Sequence, residues 1–541
     1  MCRVKRLLPL LLSAAACAHA PEPPPAPEPA PPTPVAAPAV PPEVALLAHV
    51  RTDVDALLEA QAEATWMAWT TAAPLDVAAP HAGREWLRDG TALRALDAAA
   101  PSPDPAEVAR RRMLHDFLVG EVLAASVAPA VAPAPGGPAD DLTFLYEGRT
   151  VALRDVTSML AAEPDAARRA ALGAARAPAA ARAARAADAN ASALSAAAAK
   201  LGMGDALAVA TSLRGAGPEE LAALASSTLD ATGPGYCAAM ESLARREIGA
   251  ALAATRMRDL PRMLRASHEP KAHPGTRLVG DGIAAASAAG VDLAARVKLD
   301  DRPVPGKSQR PLAVPVRVPG DVRLSALPSG GASEARAFLH ELGVALFLSG
   351  IRAEGVEARR LGSPAAAEVW GYLFEALAAD PAWLHERSGI AGHELAREIK
   401  AAQADRLHAV RMQAARLLRE IERARGGTPG AAGDAAILSR ALCRPVDAEE
   451  AARWPLPRDP LLSSADSLRA ALLAAQIEVS LANQGSGPWW RWRGAPDFFA
   501  PIWAAGAVAS VDDLARAAGV APISPVPLAQ TAKTRFDAAG W

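Results

Sequence analysis

Aromatic residues are scarce in this 541-residue chain, at 4% of the sequence, with only three tyrosines, Tyr146, Tyr236 and Tyr372. The scarcity argues against the stacking surfaces used by single-strand nucleic-acid binders, and the basic run Arg110-Arg111-Arg112, with no aromatic neighbours, reads as a solvated helix face. An excess of charge of one sign is also missing. Lys+Arg total 57 against 59 Asp+Glu, a formal net charge of −2, so no global field gathers nucleic acid or anionic membrane. The four cysteines, Cys2, Cys17, Cys237 and Cys443, form no CxxC pair, which removes cysteine zinc sites and thioredoxin-like chemistry. Cys237 and Cys443 can pair in an oxidising compartment if the fold brings them together. No Gly-x-Ser-x-Gly elbow, P-loop or dinucleotide glycine motif occurs, so serine-hydrolase and nucleotide functions have no support. Beyond the first residues, no apolar stretch of about 20 residues is free of charge, and no further membrane span is expected.

The amino terminus is written as an address. Arg3, Lys5 and Arg6 make a positive region, Leu7 to Leu12 a short apolar core, and small residues lead to Cys17. Ala14-Ala15-Ala16-Cys17 resembles a bacterial lipobox, so residues 1–17 are expected to be a signal peptide whose Cys17 is lipidated. Cleavage after Ala20 would instead release a secreted protein. Residues 18–42 are dominated by Pro, Ala and Glu, a composition that favours extended polyproline II and reads as a tether. The expected location is the cell envelope, with the membrane reached only through the lipid.

What is abundant is alanine, the strongest helix former, and from Val44 onward apolar residues recur at spacings of three and four. The expectation is a mainly α body, with residues 43–300 as an N-terminal helical region. Residues 166–199 predict one long helix or a hairpin broken near Pro178, and Gly-Pro pairs at 217–218 and 233–234 predict helix breaks. Over 302–332 the texture changes to Pro, Gly and short Val/Leu alternations, which predict short strands just before the helix that carries His340. From Ser333 onward the pattern is helical again, interrupted at 426–433 and by a Trp-rich loop at 485–500.

One constellation carries chemistry. His340-Glu341-Leu342-Gly343-Val344 places a histidine and a glutamate in a helical context. Glu368 follows 28 residues later in a second helical stretch, and Glu375 lies two turns beyond it on the same face. The motif, the glutamate pair and the flanking segments Val291–Arg302, Val318–Leu324, Pro328-Ser-Gly-Gly, Asp380-Pro-Ala-Trp-Leu and Trp489–Phe499 together resemble the thimet oligopeptidase and oligoendopeptidase family of zinc peptidases. The likeness covers most of residues 140–541.

That resemblance implies a large two-lobed helical body with a central cleft, and a zinc-peptidase-like region over 301–541. It also implies His340 and Glu368 as metal ligands, Glu341 as general base, and Glu375 as the carboxylate behind the metal site. The departure is at position i+4, where Val344 stands in place of the second zinc histidine. No tyrosine follows Tyr372, so the family's downstream oxyanion donors are missing too. The expectation is therefore an inactive relative without zinc, binding peptides or a protein partner. The alternatives are an active zinc peptidase that recruits another ligand, with His268 and His273 as the candidates, and a purely structural envelope lipoprotein.

Overall fold

The structure, a computed structural model, describes residues 42–71, 73–127, 142–428, 430–508 and 510–540. The expected signal, Cys17 and the tether up to residue 41 lie outside the described residues. The chain divides into Met1–Pro42 and Glu43–Trp541, and the second unit holds the fold. Ten helices carry the argument: α1 (Pro42–Thr71), α2 (Pro105–Ala125), α3 (Ala166–Lys200), α4 (Pro218–Leu243), α5 (Ala332–Gly350), α6 (Pro364–Glu375), α7 (Gly392–Ala424), α8 (Gly430–Leu442), α9 (Ser463–Gly485) and α10 (Val526–Ala538). Five short strands accompany them: β1 (Thr143–Tyr146), β2 (Arg149–Ala152), β3 (Lys298–Asp300), β4 (Leu312–Arg317) and β5 (Asp321–Ser325). The mainly α reading holds. No helix among the described residues is long and apolar enough to cross a membrane.

Alanine-rich α3 runs unbroken through Pro178, its first turn closed by Asp165, which accepts from the Arg168 N–H. Of the two Gly-Pro pairs, the first starts α4 with Pro218 in the opening turn, where a missing N–H costs nothing. The second lies inside α4, contrary to expectation. A proline removes one ladder bond, and here packing on two faces outweighs that loss: Leu229, Tyr236, Met240 and Leu243 are buried against α7 and α10.

The strands anticipated before α5 are present as a sheet of order β3-β5-β4, with β3 parallel and β4 antiparallel to β5. Pro315 sits in β4, an edge strand, where its missing N–H breaks no ladder. The edge is finished by side chains. Arg360 donates to the carbonyls of Pro315 and Val316 at 2.7 and 3.0 Å.

Three large apolar clusters fill the body. One gathers the sheet, α5, α6 and the aromatic group Trp370, Phe374, Trp489, Phe499 and Trp503. A second joins α4, α7, α8 and α10, and a third lies under α1 and α2. α9 contributes to both of the first two, and Tyr372 of α6 packs against both. Trp489 of the Trp-rich segment is a core residue packed on Phe374 and Phe499. Cys237 and Cys443 form a disulfide with 5.5 Å between their α-carbons, tying α4 to the end of α8.

α5 and α6 meet backbone to backbone. A β-carbon on Gly343 would lie 2.3 Å from the Trp370 carbonyl oxygen, so the glycine of the His-Glu-x-Gly sequence is required by packing. Gly343→Ala is expected to push the two helices apart and to cost about 1–3 kcal/mol, the range for overpacking a filled core, read from urea unfolding.

Candidate functional site

Helical spacing sets the site. Arg336 and His340 lie one turn apart on α5, and Glu368, Tyr372 and Glu375 share a face of α6. His340 Nε2 stands 3.2 Å from Glu368 Oε2, and its Nδ1 is 3.1 Å from Glu375 Oε2. The Tyr372 ring meets the imidazole edge to face, centroids 4.9 Å apart. The ring can lie there because residue 371 is glycine: a β-carbon would come within 2.6 Å of Nε2. Arg336 grips the other oxygen of Glu375 through Nε at 3.0 Å and Nη2 at 2.6 Å, and its Nη1 pairs with Asp405 of α7.

The group therefore holds the positive charges of Arg336 and His340 against the three carboxylates of Glu368, Glu375 and Asp405. Burial works against a charged imidazole, yet carboxylates on both nitrogens hold His340 up at about 10. Burial likewise opposes ionisation of Glu375, but Arg336 and His340 hold it at about 2. Tyr372 is raised well above its ordinary value by burial and by Glu375 and Glu368. The open space beside Tyr372 and Glu375 is about 20 Å³, room for a single water.

Glu341 points elsewhere. Its Oε2 accepts the Ala313 N–H of edge strand β4 at 2.8 Å, and burial raises its carboxyl. The residue that would act as general base in the family here closes the free edge of a strand.

Zinc, the metal implied by the resemblance, does not fit these residues. His340 Nε2 and Glu368 are spaced like two ligands of one tetrahedral ion, for which bonds of about 2.0–2.2 Å place donors about 3.4 Å apart. A catalytic site needs a third protein ligand, and Val344 supplies none. Glu375 sits on the opposite edge of the imidazole, so its carboxylate shares no common point with Nε2 and Glu368. Among the described residues, no set of three or more His, Cys, Asp or Glu side chains is arranged to hold a metal.

His268 and His273, the candidate substitutes, are committed elsewhere. Both converge on Glu398 Oε1 of α7, at 2.8 Å from His268 Nδ1 and 3.1 Å from His273 Nε2, while the Glu269 N–H donates to Oε2. The His273 carbonyl accepts from the Gly331 N–H, which fastens this segment to the start of α5. His408 faces Tyr236, with 2.9 Å between Nδ1 and the hydroxyl, and burial lowers it to about 4. His385 bonds the Ile390 carbonyl.

Two participants were missed in the sequence. Arg336 stands four residues before His340, so helical spacing alone could have found it. Asp405, 69 residues away from Arg336 on α7, left no local signal.

No family model matches the sequence, and no curated protein matches it. Solved structures do share the fold. An M32 carboxypeptidase from Deinococcus radiodurans R1 is 13% identical, with 92% of this chain and 99% of that one covered and a TM-score of 0.55. PZ peptidase A, solved with an inhibitor, is 12% identical over 92% of this chain and 97% of that one, with a TM-score of 0.63. A Bacillus anthracis protein assigned as an oligoendopeptidase F is 11% identical over 92% and 83%, with a TM-score of 0.53. The chain shares the mainly helical fold of these proteins.

Arg336→Met removes the arginine shared by Glu375 and Asp405, leaving Glu375 only its contact with His340, and is expected to cost about 3–5 kcal/mol in urea unfolding. Glu368→Gln, at a more exposed carboxylate, is expected to cost about 1 kcal/mol or less. A pH prediction follows from Glu398. Burial opposes its ionisation, but the two histidines hold it at about 2, against 4.5 for a free glutamate. Its stabilisation is present above pH 4.5 and is lost as pH falls toward 2. Glu398→Gln should be less stable than the parent at pH 7 and should lose less stability between pH 4.5 and 2, as read by thermal melts across that range.

Proposed function

We propose that this chain is a catalytically silent relative of the oligopeptidase-type metallopeptidases, held at the cell envelope by a lipid on Cys17 and binding a peptide or a segment of a protein partner. The observation that carries the reading is the state of His340. Its helix offers Val344 where a second zinc histidine would stand, and both of its ring nitrogens already face carboxylates. The catalytic alternative requires a third ligand, and the two upstream histidines that would serve are held by Glu398. Glu341 is occupied with Ala313, which further weakens its case as a base. The Cys237–Cys443 disulfide supports export, since such bonds persist mainly in oxidising compartments.

Metal analysis and peptide turnover test the proposal. Purified protein should carry no stoichiometric zinc and should cleave no peptide in a Glu341-dependent way. Val344→His restores a third donor one turn from His340 and should bring stoichiometric zinc binding, read by direct metal titration. Tight zinc in the unaltered protein together with cleavage abolished by Glu341→Gln would overturn the proposal.

A further inference from the structure

A cavity of about 200 Å³ lies past the C-terminal end of α6, and none of His340, Glu341, Glu368 or Glu375 lines it. Its walls combine apolar groups, Leu377, Val479 and Trp489, with Asp380, Thr531 and Arg535. Arg535, 7% exposed, donates from Nη2 to Glu478 Oε1 at 2.5 Å, while its Nη1 has no partner in the protein. Glu478 also lines the cavity, but both of its oxygens are engaged, Oε2 by the two terminal nitrogens of Arg406 at 3.3 and 3.2 Å. Asp380 is less engaged. Its Oδ1 accepts the Trp383 N–H at 2.8 Å, but Oδ2 has only a long contact of 3.4 Å with Arg535. Beside the cavity lie one under-used guanidinium donor, covered by its neighbours, and one under-used carboxylate oxygen, with an apolar surface next to them. A buried polar group left without a partner is costly, and convergent polar groups on an apolar pocket are the mark of a ligand site.

We propose that this cavity binds a small zwitterion of free-amino-acid size. The ligand carboxylate pairs with Arg535 Nη1 and the Thr531 hydroxyl, its ammonium with Asp380 Oδ2, and an aliphatic side chain lies against Leu377, Val479 and Trp489. Nη1 is covered in the present conformation, so the contact requires a small rotation of the guanidinium. The space would otherwise hold about six waters at roughly 30 Å³ each. The site is independent of the proposed loss of catalysis.

Calorimetric titration of the full chain with L-leucine, 4-methylpentanoate and 3-methylbutylamine tests it. L-Leucine should bind saturably at one site, and each singly charged analogue should bind at least about tenfold more weakly. Ala482→Phe, which fills the cavity from α9, should abolish binding while the protein still melts cooperatively. Should that variant fail to fold, Thr531→Val should weaken L-leucine binding several-fold. No saturable L-leucine binding at millimolar concentration overturns the proposal. So does binding unaffected by a folded Ala482→Phe variant or by Thr531→Val, or equal affinity for the analogues.

Discussion

Between α5 and α6 there is no room for side chains at Gly343 and Gly371, and the imidazole of His340 occupies the place that the second glycine leaves open. Once the ring is there, both nitrogens must be satisfied in a largely dry environment, and carboxylates of α6 do so from either side. The imidazolium then serves as the cation between two glutamates that would otherwise repel. Arg336 extends the same logic outward, joining Glu375 to Asp405 and so binding α5 to α7. The close approach of the helices at Gly343 and Gly371 and the charge pairing around His340 and Arg336 thus reinforce one another. Two cations and three carboxylates are thereby drawn into one paired network.

Glu341 follows the same course. It stands on the helix one residue from His340, and its Oε2 accepts the outward N–H of Ala313 on edge strand β4. Arg360 covers the carbonyls of the same edge. Exposed strand edges invite pairing with other chains, and here two long charged side chains close part of that edge from within the fold. The α4, α7 and α8 packing is fixed in a parallel way. Arg411 donates to carbonyls of Leu229 and Ala441 and to the Thr232 hydroxyl, beside the disulfide that joins the same elements. Buried arginine caps and a covalent bond do here what a wider apolar interface would do in a protein richer in large side chains.

Much of this was legible in the chain itself. Alanine content and three-four spacing specify helices wherever no competing pattern intervenes, because helix formation is local. The strands before α5 and the placing of Glu368 and Glu375 on one face are matters of short-range period, and each reads directly from the residues. Local rules misled at Gly233-Pro234, where a break was expected within α4. A proline inside a helix costs a ladder bond and a ring clash with the carbonyl one turn earlier, and packing against α7 and α10 outweighs both.

What only the tertiary structure decided is where long side chains end. Asp405 beneath Arg336, Glu398 between His268 and His273, Glu341 on Ala313 and Cys237 beside Cys443 join positions from 28 to 206 residues apart. Such pairs are set by which faces of which helices the cores bring together, and no local spacing encodes them. By itself the sequence determined that the body is helical and that Val344, not histidine, stands four residues after His340. The fold determined which partners His340 and its neighbours take, because a buried charge must find its counter-charge wherever the packing has put one.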